Sequence, residues 1–357
     1  MLKITVLRPS ELTSHHLEVW RRILREDGLL NSPFLRPEFV CAVGAVRNDV
    51  EIGVLTDGSE VTGFFPFQRH ARHSAGPVGW KLSDLQAVVA RKGCVWNPPQ
   101  LLRSCHLRSW HFSNLIVTQS EFQHCHSSVA QSPFMDLSCG FEGYAAACRA
   151  RGSSYIVQTQ RKRRRMEREA GPLRFEFHAS DPGVLQRLLQ WKSEQYQRTN
   201  ILDMFRFHWA VRLMERIAEA PPEDGFRGVL SALYCGDELI AAHLGMRSDD
   251  VLHWWMPGYS QAHSGYSPGS ILMLQLTQTA AAQDIRRIDL GSGDERYKAS
   301  VMSGCIGVAE GAAGVNSVQA ACHRILYQAR SLSRSSRLRW LMRIPKTVLR
   351  QLRYRKG

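Results

Sequence analysis

Apolar residues in the first part of the chain alternate between strand-like and helix-like spacing, which predicts a unit of mixed α and β structure. Residues 2–7 form a short apolar run typical of a strand, and a helix-like pattern follows over 10–27. Two further apolar runs, 49–55 and 61–67, flank an Asp-Gly pair, which indicates a β-hairpin. Residues 110–117 predict another strand.

The second part of the chain changes from helices to an antiparallel meander. Residues 141–170 predict two helices that end at a Gly-Pro pair, and Ser180-Asp181-Pro182 predicts the capped start of a third. The later pattern predicts three strands, a helix and a short strand, over 227–234, 239–246, 251–256, 269–282 and 287–290. This order predicts an α/β fold of the α+β type with a mixed sheet, and periodicity alone specifies nothing narrower.

Length and charge divide the chain into two domains and a tail. A chain of 357 residues favours two domains, which we place at 1–139 and 140–312. Residues 311–357 contain eleven Lys or Arg and no acidic residue, so only +3 of the net charge of +14 (14 − 11) belongs to the rest of the chain. We therefore expect a basic tail over 313–357, and we do not expect nucleic-acid binding from the overall charge.

The tail is predicted to be an amphipathic helix. Leucines and other apolar residues of 316–357 recur at helix-like spacing with arginines between them, a pattern typical of helices that lie on an anionic membrane surface. A packed or partner-bound helix and a free tail are the alternatives. Because the N-terminal apolar run is too short for a signal peptide and no spanning stretch follows, we expect a cytoplasmic protein, peripheral on the inner face of the membrane through this tail.

Four stretches of the second domain carry a family resemblance. In order, they are Trp191–Thr199, Ile240–Gly245, Tyr266–Leu272 and Asp289–Lys298. Together they resemble the GNAT-like domain of the acetyltransferases associated with bacterial cellulose and exopolysaccharide biosynthesis, over about residues 134–300. One departure is Tyr259-Ser260-Gln261, where the family pattern has an Asp after the Tyr.

The resemblance implies tandem GNAT-like (acyl-CoA N-acyltransferase) domains and an activity. The activity is direct transfer of an acyl group, in the simplest case acetyl, from acetyl-CoA as co-substrate to a hydroxyl or amine of a saccharide or polysaccharide precursor. No metal is implied, and the nine scattered cysteines contain no CxxC pair. A polysaccharide synthase complex is the implied partner.

The start of the predicted helix at 269–282 is the candidate donor site. Ser267 is expected to cap the helix, and Pro268 suits its first position. Gly269 lets backbone approach a ligand, and the free N–H groups of a helix N-terminus suit a pyrophosphate. We therefore assign cofactor binding to Ser267, Gly269, Ser270 and Ile271, with an ordinary capped helix start as the alternative.

Acyl transfer needs a base for the acceptor proton and an acid for the leaving thiolate. The resemblance to GNAT enzymes makes Tyr297 the candidate acid, because it shortly follows the last core strand. Asp289 and Asp294 are candidates for the base or for holding an acceptor hydroxyl, and His243 is a further candidate base. The alternatives are that Asp289 caps a turn, that Tyr297 packs, and that His243 is a satisfied core residue.

Four residues are candidates for acceptor binding. Lys298 lies beside Tyr297, Trp254 could stack on a sugar or an adenine, and Asp84 is expected to face the cleft between the domains. Arg164 belongs to a basic run over 161–165 that either binds a phosphate-bearing acceptor or forms a solvated helix face. The run has no interleaved aromatic residues, which disfavours RNA.

Two other functions are compatible with the sequence. A Fem-type transferase also pairs two GNAT-like domains and would use aminoacyl-tRNA. A non-catalytic accessory subunit of a polysaccharide synthase would keep the fold without acyl transfer.

Overall fold

The computed structural model of the chain describes residues 2–222, 224–293 and 296–315. The predicted tail therefore lies outside the described residues apart from 313–315, and so does Asp294. The helices and strands follow each other in the order β1 (Leu2–Leu7), α1 (Ser14–Glu26), α2 (Pro37–Gly44), β2 (Val50–Asp57), β3 (Glu60–Ala71), β4 (Ser74–Gly76), β5 (Val89–Ala90), α3 (Pro98–Ser104), β6 (Ser109–Ile116), β7 (His126–Asp136), α4 (Gly140–Ala150), α5 (Tyr155–Glu169), β8 (Leu173–Glu176), α6 (Pro182–Arg198), α7 (His208–Ala218), β9 (Phe226–Cys235), β10 (Glu238–Ser248), β11 (Val251–Tyr259), α8 (Pro268–Ala281), β12 (Arg287–Asp289), α9 (Arg296–Val301) and β13 (Gly304–Gly314).

The chain forms two compact units. The first consists of residues 2–30, 34–131 and 307–315 of the described chain, and the second of 31–33 and 132–306. Asn31 belongs to the second unit because its amide donates to Asp250 at 2.7 Å and accepts from Ser248 at 2.8 Å. The predicted domain bounds of 1–139 and 140–312 stay a prediction.

The first unit is built on an antiparallel meander that a later strand completes. Strands β1, β2, β3 and β4 pair antiparallel in turn, β4 pairs with β6 in parallel, and β13 adds antiparallel to β6. The predicted hairpin is confirmed as β2 and β3. The core of the first unit is aromatic. Trp20 of α1 stacks on Phe64 of β3 at 4.4 Å between ring centroids, and the Trp20 indole N–H donates to the Leu35 carbonyl.

The second unit repeats this strand order. Strands β8, β9, β10 and β11 form the antiparallel meander, β12 joins β11 in parallel, and β7 pairs antiparallel with β12. Helix α8 connects β11 to β12, and its leucines and Met273 are buried in the core of the unit. The predicted mixed α/β fold is confirmed.

Helix starts follow the local sequence where a side chain can cap them. Helix α6 begins at Pro182, and the Asp181 carboxylate accepts from the Gly183 N–H at 2.8 Å. This confirms the predicted capped start of the helix, which lies between β8 and β9.

Candidate active site

Strands β11 and β12 part from each other in the second unit. They pair only from Val251–Arg287 to His253–Asp289, whereas β11 stays paired with β10 up to Tyr259. Beyond His253, the other edge of β11 has no strand partner among the described residues. We call this gap the fork. An open strand edge presents unpaired N–H and C=O groups, which can bind an extended ligand that contains amides.

Helix α8 begins beside the end of β11. An added side chain on Gly269 would place its Cβ 3.3 Å from the Tyr259 ring, so the first turn of the helix lies against that residue. Ser267 occupies the N-cap position in a left-handed conformation, with φ of 55° and ψ of 58°. Its hydroxyl does not cap the helix, which corrects the expected role of this side chain. Pro268 has no N–H, and the Ser270 and Ile271 N–H groups donate to the Ser267 carbonyl at 2.9 and 3.3 Å, so the Gly269 N–H is the group of this turn that a ligand can bind.

A lysine from helix α5 lies at this helix start. The Lys162 ammonium donates to the Ser267 hydroxyl at 2.8 Å. A cation at the positive end of a helix dipole is electrostatically unfavourable unless an anion lies between them. A second residue of α5 contacts α8: the Tyr155 hydroxyl donates to the Ser270 carbonyl at 3.1 Å. This arrangement suits a phosphate or pyrophosphate group. Ile271, also assigned to cofactor binding, is buried in the core.

A cavity opens at the N-terminal end of helix α5. It has a volume of about 510 Å³ and lies between the turn before α5, the first turn of α5 and the end of α9. Its lining comprises Arg151, Gly152, Ser153, Ser154, Tyr155, Gln158, Ala299, Ser300, Met302 and Ser303. Since helix α5 rises about 1.5 Å per residue, the cavity begins roughly 6 Å along the helix from Lys162.

The loop after β12 is held by a buried lysine. Lys298 is 5% exposed, and its ammonium donates to the carbonyls of Gly291 at 3.1 Å and Ser292 at 3.3 Å. This geometry gives Lys298 a structural task, so its assignment to acceptor binding stays a prediction. Tyr297 is half-buried on α9 and packs at the edge of the core.

Asp289 is bound within its own strand. Its carboxylate lies 2.8 Å from the Arg287 guanidinium, which also donates to the Asn31 carbonyl at 2.8 Å. Asp289 is 6% exposed. The pairing and the burial leave little of the carboxylate accessible to a substrate. Its predicted role as base stays a prediction that this pairing disfavours.

His243 and Trp254 form a buried stack. Their ring centroids are 4.1 Å apart and the rings are 11° from parallel. His243 is fully buried, and burial, with a contribution from nearby His253, lowers its pKa to about 3. The imidazole is therefore neutral at pH 7. Because neither ring is exposed, the structure favours packing over the predicted roles of base and sugar platform, which no observation tests directly.

Two candidates for acceptor binding remain, one in each unit. Arg164 is exposed on α5. Asp84 is half-buried in the first unit, in the segment between β4 and β5. Their predicted contacts with the acceptor stay predictions.

Three residues at the start of α8 and in the cavity were not predicted from the sequence, namely Lys162, Tyr155 and Arg151. The basic run over 161–165 contained Lys162, but composition does not tell which of its members reaches the start of α8. The signal was the spacing of positions 155, 158 and 162, which lie on one face of a helix.

No group of three or more possible metal ligands occurs among the described residues. None of the helices in the described part of the chain is long and apolar enough to span a membrane.

Comparison with known proteins identifies the second unit. Residues 153–299 match the model of the acetyltransferase (GNAT) domain. The second unit therefore contains a GNAT acetyltransferase domain, which supports an acyltransferase activity. The GNAT domain contains the fork, α8, Lys162 and Tyr297. No curated protein matches the chain.

Solved structures show the same fold over most of the chain. FemX is 10% identical with a TM-score of 0.57, covering 91% of this chain and 99% of FemX. A tandem GNAT protein from the clavulanic acid biosynthesis pathway is 10% identical with a TM-score of 0.52, covering 88% and 99%. L-PGS from Bacillus licheniformis is 14% identical with a TM-score of 0.51, covering 88% and 96%. At these identities the likeness concerns the fold, and it confirms the tandem GNAT-like architecture.

Proposed function

We propose that this GNAT-type acyltransferase uses acyl-CoA, in the simplest case acetyl-CoA, and transfers the acyl group directly to a hydroxyl or amine of a saccharide. The observation that carries the donor is the Lys162 ammonium at the start of α8, beside the open edge of β11. A pyrophosphate at the helix start and an amide-containing arm along the strand edge match the two chemical parts of coenzyme A.

The reaction needs no covalent intermediate on the protein. The acceptor oxygen or nitrogen attacks the thioester carbonyl, the new C–O or C–N bond forms and the C–S bond breaks. The acceptor loses its proton to a base, and the thiolate of coenzyme A takes a proton from an acid. Tyr297 is our candidate for that acid, because helix α9 follows the loop at the end of β12.

The serines that line the cavity support a hydroxyl-rich acceptor. None of its ten lining residues is acidic, and four of them are serines. The Arg151 guanidinium donates to the Met302 carbonyl at 2.8 Å, and it has further donors available in its fork of five N–H groups. Such a lining suits a saccharide. Arg151 would favour a saccharide that carries an acidic group.

A second candidate is Fem-type transfer from aminoacyl-tRNA. Arg161 and Arg164 are exposed on α5, and no ion pair of either is found among the described residues. This basic face would contact phosphates of a nucleic acid. The shared fold with FemX is compatible with this activity and does not distinguish it from the first.

Calorimetric titration with acetyl-CoA tests the donor. We expect the wild type to bind, and we expect Lys162→Gln to bind about 10- to 100-fold more weakly, since a hydrogen bond to a charged group contributes about 1.5–3 kcal/mol. Gly269→Glu should abolish binding because it adds a negative charge at the helix start. Gly269→Ala is the matched control, because it makes the same Cβ contact with Tyr259 without the charge.

The outcomes separate the two candidates. Binding by the wild type and loss only in the charged variant would support acetyl-CoA and justify an acceptor screen of sugars by mass spectrometry. No binding by the wild type, together with salt-sensitive binding of tRNA, would overturn the proposal in favour of the Fem-type activity.

A further inference from the structure

Strand β11 contains a bulge at the mouth of the fork. On β10, Leu244 pairs with Met256 and Met246 pairs with His253, so two steps along β10 match three steps along β11. The extra residue lies at Trp254–Trp255, immediately after the last residue that pairs with β12. A bulge turns peptide groups away from the regular ladder of hydrogen bonds.

The imidazole of His243 occupies the position where this bulge needs a partner. The Trp255 N–H donates to its Nε2 at 3.3 Å, while the ring stacks on Trp254. Gly245 makes room for the ring, because a Cβ there would lie 2.5 Å from the His243 Cε1 atom. The contact is fully buried. His243 is therefore attached to both residues of the bulge, once through the backbone and once through a side chain.

We propose that His243 is a positioning residue for acyl transfer, which fixes the bulge of β11 and so decides which peptide groups of that strand face the fork. The inference rests on the proposed function in one respect, namely that an acyl thioester lies in the fork. The unprotonated Nε2 acts as a hydrogen-bond acceptor. This role differs from that of a general base, since the ring has no exposed face from which to reach an acceptor.

The bulge matters for chemistry because of the regular alternation of a strand. Each residue directs its N–H and C=O to one edge, and one extra residue changes which residues face the opposite edge. If the bulge slips, the groups that would bind the thioester carbonyl move by a residue. A misplacement of about 1 Å can cost on the order of 100-fold in rate.

Two variants of similar size test the role. In His243→Gln, the side-chain oxygen lies near the position of Nε2 and can accept from the Trp255 N–H. In His243→Leu, no acceptor remains. We expect His243→Gln to keep most of kcat, and His243→Leu to lose about 10- to 100-fold in kcat with the KM for acetyl-CoA little changed, because the phosphate anchor at α8 is untouched.

The pattern of the two variants decides between the roles. A general base would make Gln as inactive as Leu, since an amide does not take up a proton. Full activity in both variants would show that the bulge does not depend on His243. Either result overturns the proposal. If His243→Leu does not fold, His243→Met, which is flexible and also lacks an acceptor at that position, takes its place.

A readout that needs no activity separates this inference from the proposed function. Amide hydrogen exchange at Trp255 should speed up in His243→Leu and stay slow in His243→Gln. If the exchange rates follow this pattern and the wild type does not bind acetyl-CoA, His243 keeps its structural role and acetyl-CoA is refuted as the donor. Unchanged exchange in His243→Leu would refute the structural role whatever the donor is.

Discussion

The buried imidazole of His243 makes stability depend on pH in a way that can be calculated. Its pKa is about 3 in the folded chain and about 6.5 in an unfolded chain. Between these values the unfolded chain binds more protons than the folded one, so stability rises with pH in this window and is lost as pH falls from about 6.5 towards 3. At pH 5 the separation from 6.5 is about 1.5 units, which corresponds to a loss of about 2 kcal/mol relative to pH 7.

Urea unfolding of the wild type and of His243→Gln at pH 7 and pH 5 measures this loss. Other groups also titrate in this range. His178 has its pKa lowered to about 4 by burial and by nearby Arg227 and Arg247, and it contributes to both proteins alike. The difference between the two proteins isolates His243. We expect the wild type to lose about 2 kcal/mol more than the variant between pH 7 and pH 5. An equal loss in both proteins would show that His243 is not buried in its neutral form.

Two further predictions concern the framework of the GNAT domain. Lys298→Met should cost about 1–3 kcal/mol in the free energy of unfolding, because it leaves two loop carbonyls without their donor; an unchanged urea midpoint would show that the loop is held by other contacts. Gly228→Ala should be severely destabilising, since the new Cβ would lie 1.7 Å from the Ile217 carbonyl oxygen. Gly265→Ala is its control, because nothing lies within 4 Å of that Cβ; equal melting temperatures for the two variants would contradict the packing of α7 on β9.

The elements that the sequence predicts well are those with local signals. The Asp-Gly turn fixes the hairpin of β2 and β3, and the Asp181-Pro182 pair fixes the start of α6. The pairing of β13 with β6 joins segments almost 200 residues apart and leaves no local signal. Periodicity therefore identifies the strands and does not give the sheet to which each belongs.

The sequence predicted which segment forms the candidate donor site, but it did not predict the contacts within that site. The start of α8 was recognised from Ser267, Pro268 and Gly269. The left-handed conformation of Ser267 and its bond to Lys162 depend on a helix more than 100 residues earlier in the chain. Asp289 pairs with Arg287, two residues earlier, and this contact was not predicted from the sequence either. Residue types predicted the chemistry, and burial and pairing decide which residues are available for it.

The two units share a strand order, and the structure explains why only the second is a candidate for donor binding. In the first unit, β4 and β5 both pair with β3, so they occupy one strand position that the segment 77–88 interrupts. That segment forms backbone hydrogen bonds with β6 through Gln86. The Gln86 N–H donates to the Asn114 carbonyl at 2.9 Å, and the Ile116 N–H donates to the Gln86 carbonyl at 3.1 Å.

The first unit thus fills with its own chain the edge that stays open in the second. The Gln86 side chain adds to this, since its oxygen accepts from the Ser113 and Asn114 N–H groups at 3.1 and 2.7 Å. The helix that follows is also satisfied locally, because the Asn97 side chain accepts from the Gln100 N–H at 2.9 Å. An extended ligand would have to displace these bonds to bind beside β6, whereas no strand of the described chain pairs with that edge of β11 beyond His253. Acyl-donor binding in this protein is therefore expected at one fork, with a stoichiometry of one per chain in the acetyl-CoA titration; two sites per chain would show that segment 77–88 leaves its place.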